Sequence, residues 1–514
     1  MFFMMELKKH FLLFFILSSS LFLYAQNDLD AIRYSRNGVG GSPRSIAMGG
    51  AFGALGADIS CASYNPAGLG VYRKGEFTYS GGLRFTNNST TFNNNSISSP
   101  LGNFMFSNFG LAYSYLSEKD ATKRNTFSFS NNQLQNFNGN LEIVDGATTN
   151  SMAGDMLTIA NEKKNLSQLN PSYELMGYNS YVLDYDSVSG KFFSFVDMKR
   201  NVSLDRSVST TGRMNEVNIS FAQSADDKFY IGGSIGIPRI KYSSTTTHFE
   251  SDANDSMKVT ITSPSSYSTT YISDLPFIYT DKLGFNSLKY TEYFKTDGYG
   301  LNLKLGGLVR VNSQVRVGAY FHTPTIMYLT DIYTYSLQAS FDADKLNPVT
   351  VGYPDTQGKS IYRVISPMRF GINGAYILNK QCAIAFDVEN ISYNKASISS
   401  EVPSDFSGVN AVINNKYKNA TNIRLGGEYT IQSTMLRAGY AYYGSPFGGL
   451  FSGPFDRQTL SLGAGIRTKG KMLFDFAWAR TVSKETYYMY SSDPIKTDVK
   501  LIASSFIVGV GIKF

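Results

Sequence analysis

A side chain does chemistry as a nucleophile beside a base, as one of several metal ligands, or as a charge placed for a partner. This sequence is poor in the first two. Beyond residue 25 its histidines are His248, in a Ser/Thr loop, and His322, in a strand before Thr323-Pro324. Neither has an obvious partner, so an enzyme is not expected. Three histidines and two cysteines supply too little for a metal cluster or a disulfide framework, and no metal or cofactor is expected. Cys61 and Cys382 either pair in an oxidising compartment or stay as free thiols; the sequence leaves both open.

Charge is the remaining resource. Arg310, Arg369, Arg424 and Arg437, with Glu216, Asp387, Glu389 and Glu428, fall on the phase opposite to their apolar neighbours in alternating runs. A guanidinium fork suits a two-oxygen ligand such as a carboxylate. With so many acids on the same face, an internal ion-pair network is the favoured reading. One further group repeats at helical spacing: Met152, Met156 and Ile159, with Ala160, followed by charged Glu162, Lys163 and Lys164. It predicts a short amphipathic helix within a long loop region near 146–213.

The elements that position these residues are strands. Tyr299, Leu301, Leu303, Leu305, Val309 and Val311 alternate with Asn302, Lys304 and Arg310. Phe506, Val508, Val510, Ile512 and Phe514 alternate with small or polar residues, Ile507 being the exception. Short turns at 225–228, 312–314, 432–434 and 468–471 separate such runs, and long Ser/Thr/Asn-rich connections lie between others. Interfacial aromatics recur (Tyr440, Tyr442, Trp478, Tyr487, Tyr488), and the chain stops on an aromatic, Phe514. The pattern predicts an all-β chain, a transmembrane antiparallel β-barrel of about 14 strands that closes to pair every backbone group in lipid. The strand around Phe127–Phe137, with Asn131, Asn132 and nearby Gly139, is the candidate for an irregular wall strand.

Composition agrees. Charged residues are only 17% against about 25% in soluble domains, the balance filled by 35 Tyr, 37 Phe and 46 Gly. So many aromatics exclude disorder, and no later apolar run reaches the ~18 residues of a spanning helix. The net charge of +7 is spread without a Lys/Arg cluster, which gives no reason to expect nucleic acid. Lys8, Lys9 and the apolar run 11–23 before Ala25 read as a signal peptide over 1–25, ahead of barrel residues 73–514.

Residues 26–72 do not alternate and are rich in glycine. Gly38-Val39-Gly40-Gly41 lacks the preceding strand and following helix of a phosphate loop. In Asn65-Pro66-Ala67-Gly68-Leu69, Asn is a good N-cap and Pro is preorganised for the first helical position, which predicts a rigid single turn. Such a turn, among small residues that let the backbone pack closely against surrounding walls, suits a segment folded inside a barrel and tied to its wall.

Ser45-Ile46-Ala47-Met48-Gly49-Gly50-Ala51-Phe52, Ala57-Asp58 and Tyr64-Asn65-Pro66-Ala67-Gly68-Leu69 resemble the N-terminal hatch of the long-chain fatty-acid transporter (FadL/TodX) outer-membrane family. The stretches Val315–Thr325, Arg424–Tyr429 and Leu436–Pro446 resemble the same family, while 133–213 is similar to a Bacteroidetes-type branch. The resemblance implies a monomeric 14-stranded barrel plugged by its hatch, residues 26–72 with Met48, Gly49, Gly50 and Phe52 in the packing, in a Gram-negative outer membrane, passing long-chain fatty acids or aromatic hydrocarbons without energy input. Extracellular loops would capture the ligand, and it would leave sideways through the wall. Hydrophobic small molecules, outer-membrane lipid and the barrel assembly machinery are the expected partners. A general porin for polar solutes and an adhesive or surface-structural barrel are the alternatives, and the plug separates them.

Overall fold

The structure is a computed structural model describing residues 28–257, 260–263, 266–268, 284–342, 347–379, 381–401, 406–448, 455–469, 471–492 and 496–514. The signal peptide expected over 1–25 lies outside the described residues.

Strands dominate. The wall begins with β1 (Glu76–Phe92) and β2 (Asn95–Leu116), and its third strand is broken into β3 (Lys123–Asn136) and β4 (Gly139–Thr148). A small hairpin, β5 (Leu183–Asp186) and β6 (Lys191–Ser194), stands apart from the wall. The wall resumes with β7 (Val202–Ala225) and β8 (Phe229–Asp252); a second small hairpin, β9 (Thr260–Ser263) and β10 (Ser266–Ser268), precedes β11 (Phe285–Arg310). The seventh and eighth strands break at prolines into β12 (Val315–His322) with β13 (Ile326–Phe341), and β14 (Val349–Ile365) with β15 (Arg369–Ile377). The ninth is β16 (Cys382–Ser392), continued by β17 (Ser397–Ser399). Then come β18 (Asn419–Ile431), β19 (Thr434–Tyr443), β20 (Arg457–Arg467), β21 (Met472–Tyr488) and β22 (Lys496–Lys513). β22 pairs antiparallel with β1, from Glu76↔Lys513 to Thr91↔Asp498, and closes a barrel of 14 antiparallel strands.

The alternation follows from closure in lipid. Tyr299, Leu301, Leu303 and Leu305 are exposed outward, whereas Asn302, Lys304 and Leu308 are buried inward. Ile507, the exception in the last strand, faces inward and packs with Ile46 and Ala47 of the plug. Its neighbour in phase, Gly509, is shielded by Pro43. Length is uneven around the wall. β7 and β8 have 24 residues each and β11 has 26, against 10 in β19 and 11 in β20. A tilted strand needs only about 9–11 residues to cross the membrane.

The long loop is shorter than the sequence pattern suggests. Strand β7 already begins at Val202, so the non-strand excursion closes near residue 201 rather than 213. Polar Ser and Thr on its outward face hide the alternation there. Helix α1 (Asp28–Arg33) and helix α2 (Pro43–Ala47) belong to the plug, and helix α3 (Met152–Lys163) to the loop. Helix α3 buries Met152, Met156, Ile159 and Ala160 and packs with α4 (Glu174–Asn179) and the β5–β6 hairpin. A fifth helix, α5 (Ser407–Lys416), sits over the mouth near α1.

Candidate functional site

Residues 34–72 run through the barrel lumen as turns and single helical turns, and small residues let the chain lie against the wall. Asn65 caps the 3-10 turn Pro66–Val71, accepting from Ala67 N at 3.1 Å. The same side chain reaches the wall, with Nδ2 3.4 Å from Gly307 O and 3.5 Å from Asn373 Oδ1. Met48, Phe52, Ala67 and Leu69 are buried in one cluster with wall residues Leu308, Ala375 and Ala385. Gly49 has a φ of +64°, and a Cβ there would lie 2.9 Å from Tyr440 N. Gly50, also at positive φ (+77°), lies against the Arg424 side chain.

Three charged clusters tie this plug to the wall. In the first, Arg424 donates to Asp387 (2.6 Å) and Glu389 (2.5 Å), while Arg369 lies 3.6 Å from Glu389 and donates to Ser35 O of the plug. Arg424 also lies over the ring of plug residue Tyr64. In the second, Glu216 accepts from Lys304 (2.7 Å), Asn302 (2.9 Å) and, more distantly, plug residue Ser63. In the third, plug residue Arg44 forks onto Glu428 at 2.9 and 3.0 Å, and Arg437 joins Glu428 (2.7 Å) and Asp475. The structure thus brings Arg369, Arg424, Arg437, Glu216 and Glu428 into bracing ion pairs. Arg310 shares their inward phase but lies at the strand end, half-exposed, donating to Asn312 O. Sequence reasoning put Lys304 in the polar phase without naming it as a site residue and missed Arg44 and Asp475; together these enter three of the seven pairs above. Lys304 alternates with leucines and could have been found by phase, but Arg44 sits in a segment with no phase to read.

The two histidines correct the sequence reading. His248 lies in strand β8, not in a loop, and is fully buried with Glu250 at 2.7 Å. Glu250 also accepts from Tyr490 (2.9 Å), Ser151 Oγ and Met152 N (both 2.6 Å), which fastens the start of α3 to the wall. His322 Nε2 lies 2.6 Å from Tyr64 O of the plug. Cys61, buried in the plug, and Cys382, at the start of β16, are both free thiols. Burial, and then the charge of Asp58, push the Cys61 thiol well above its usual range. Among the described residues no group of three or more His, Cys, Asp or Glu is placed to hold a metal ion.

The broken third strand opens the wall. β2 pairs with β3 only over Asn108–Leu116, and β4 pairs with β7 rather than β2. The register of β3 shifts between Gln133 and Gln135, leaving Leu134 as an extra residue. Its carbonyl accepts from Gly38 N of the plug at 3.3 Å, and Ser107, the bulged residue of β2, donates to Gly41 O at 2.7 Å. β4 swings inward instead, where Asn88 on the inner face of β1 donates to Asn140 O at 2.6 Å. The irregular strand proposed from the sequence lies here, the break itself falling at 137–138.

Beside the strand break at 137–138 lies a cavity of about 490 Å³, where Leu29, Ile32, Phe137, Tyr242, Phe455 and Ile502 share the lining with four arginines, Glu485 and several amides and hydroxyls. Arg84 and Arg457 stand at its floor and also line a smaller space of about 80 Å³ beside Ser107 and Leu134 at the gap. Arg84 has no acidic partner among the described residues. Arg457 is held by Asn37 O at 2.6 Å and the Tyr443 ring. Neither arginine was singled out by the sequence pattern, because Phe85 and Leu83 beside Arg84 read only as strand.

Comparison with known proteins agrees with this architecture. The family model described as Outer membrane protein transport protein (OMPP1/FadL/TodX) matches residues 200–513. A Pseudomonas aeruginosa FadL homologue superposes with a TM-score of 0.51 at 13% identity, covering 92% of this chain and 98% of its own. The P. putida toluene transporter TodX gives 0.50 at 12% identity, covering 93% and 99%. No curated protein sequence matches.

Proposed function

The chain belongs to the outer membrane protein transport protein (OMPP1/FadL/TodX) family, and from that premise we propose that it is a passive channel for hydrophobic small molecules with a lateral exit. The observation that carries this reading is the cavity beside the strand break at 137–138. Its lining mixes aliphatic and aromatic side chains with four arginines, of which Arg84 has no acidic partner among the described residues, and it shares Arg84, Gln135, Asn136 and Arg457 with the smaller space at Leu134. Each CH₂ moved from water to the apolar part of that lining gains about 0.8 kcal/mol, enough to capture an acyl or aromatic body from dilute solution. An exit into the bilayer keeps that gain, whereas a path past the plug would cross the charged clusters that brace it and return the gain as a barrier.

Arg84 selects among hydrophobic cargoes. A guanidinium without an acid favours a ligand with an anionic head, of which a long-chain carboxylate is the simplest. Neutral aromatic hydrocarbons are the second reading, supported by the likeness in fold to a toluene transporter. The bracing pairs oppose a general porin, since they hold the plug in the lumen. A surface-adhesive role would leave the cavity unused. The terminal strand, ending on Phe514 against Gly75, is the segment we assign to recognition by the barrel assembly machinery.

Deleting Leu134 tests the route, because it removes the extra residue from the β3–β7 pairing at the gap together with the carbonyl that holds Gly38 of the plug there. The expected result is lost uptake of a labelled long-chain fatty acid by cells, with binding to purified protein retained. Arg84→Met is expected to weaken binding of the carboxylate about tenfold and leave toluene unaffected. Full uptake by the Leu134 deletion would overturn lateral exit; equal loss for both ligands would overturn the anionic-head reading.

A further inference from the structure

Lysines and arginines dispersed through the sequence meet on the outer face of the tall strands. The registers place them in three rows just above the apolar band. Tyr299 pairs with Arg239 on one side and Tyr328 on the other, and Tyr328 with Arg363. Two residues higher, Lys241 pairs with Arg213 and Asp297. Two higher again, Lys295 pairs with Ser243 and Ile332, and Ile332 with Lys359. The outward phase is the one carrying Ile235, Ile237, Leu301 and Leu303 below, all exposed.

The patch holds six cations and one acid, Asp297, which Arg239 engages at 3.2 Å. Arg213, Lys241, Lys295 and Lys359 are exposed and have no acidic partner among the described residues. Adjacent strands are about 4.8 Å apart and alternate residues about 7 Å, so these charges share one surface roughly two nanometres wide. Like charges gathered this closely repel one another in water, and an anionic partner relieves that cost. The row beneath is aromatic, with the Tyr299 and Tyr328 rings 6.1 Å apart, as at a membrane–water boundary. The patch lies toward the long loops, which face outward in outer-membrane barrels. Phosphate at the level of lipid headgroups is the chemistry that this height and charge fit.

We propose that this belt of β7, β8, β11 and β14 is a docking site for the phosphorylated headgroup of a glycolipid of the outer leaflet. The phosphates lie against Arg213, Lys241, Lys295 and Lys359, and the acyl chains run down the Ile235–Leu301 face. The occupant is held from outside the barrel, so the site is distinct from the cargo cavity.

Native mass spectrometry of the whole barrel in neutral detergent tests this, with diphosphorylated lipid A and the same glycolipid stripped of phosphate as probes. The protein is expected to hold the phosphorylated probe at least about tenfold more tightly, with affinity falling as salt rises. Replacing Arg213, Lys241, Lys295 and Lys359 together by Gln is expected to erase the difference, in protein whose heat-shifted migration on gels shows an intact barrel. Asp297→Asn, which leaves all six cations in place, is expected to tighten retention. Equal binding of the two probes overturns the proposal, as does unchanged retention by the fourfold variant or no gain from Asp297→Asn. Displacement by millimolar inorganic phosphate alone would assign the patch to a free anion and overturn it as well.

Discussion

Gly439 of β19 is a seat for the plug: a Cβ there would lie 2.2 Å from Gly49 N and 2.3 Å from the Met48 carbonyl carbon. Gly439→Val therefore has no relaxed solution with the plug in place. It is expected to cost about 1–3 kcal/mol, read as a lower melting temperature of the plug transition, while the barrel stays intact. Cys61 reports the same event. Held under Gly68 with its thiol kept protonated by burial, it is expected to resist maleimide at neutral pH while half-buried Cys382 reacts. Labelling of Cys61 appears only when the plug leaves or the chain unfolds; equal rates in the native protein would contradict the packing described. At this scale the sequence was legible where a motif carries its own local geometry. Asn65-Pro66 announces its turn because cap and first-turn chemistry are local, and Arg424 announces its face through period two. Arg44 and Ser107 were not legible, because their partners lie dozens to hundreds of residues away and only the closed barrel brings them together, and Arg84 was not, because only the closed barrel shows that no acid meets it.

Elements show a second division of labour. The start of helix α3 is fastened to strand β8 by Glu250, which accepts from the backbone and side chain at the helix start and from Tyr490 of the adjacent loop. Glu250→Ala leaves those donors unpaired in a buried site, at about 1–3 kcal/mol for the loop rather than the barrel. Limited proteolysis is expected to cut within 149–201 sooner, with the barrel fragment surviving; an unchanged rate would remove the latch. Met152, Met156 and Ile159 were readable as a helix because spacing of 3.6 is visible without a partner. Its anchor was not, since His248 and Glu250 sit in a Ser/Thr-rich stretch that has few apolar residues to mark it as strand. The broken third strand was readable as irregular from its Asn and Gly content. Which residue is extra, Leu134, depends on the register of β7 across from it.

At the scale of the whole molecule, the clusters around Arg44, Arg424 and Glu216 make the plug part of the barrel's interior bracing. Removing residues 28–72 is expected to give discrete conductance steps in planar bilayers that the intact chain lacks; strong conduction by the intact chain would show that the plug does not seal. Closure in lipid made the fold legible from alternation alone, but uneven wall height was hidden because polar outward faces above the membrane look like loops. That height has its own consequence. At a tilt near 45°, the 26 residues of β11 rise roughly 60 Å, while the 10 of β19 barely clear a membrane. The mouth is therefore cut on the slant, with a tall parapet on one flank carrying the hairpin whose tip, Val188, is 95% exposed. A large probe added from the loop side is therefore expected to reach 149–201 long before it reaches the stopper, which lies at the foot of the parapet.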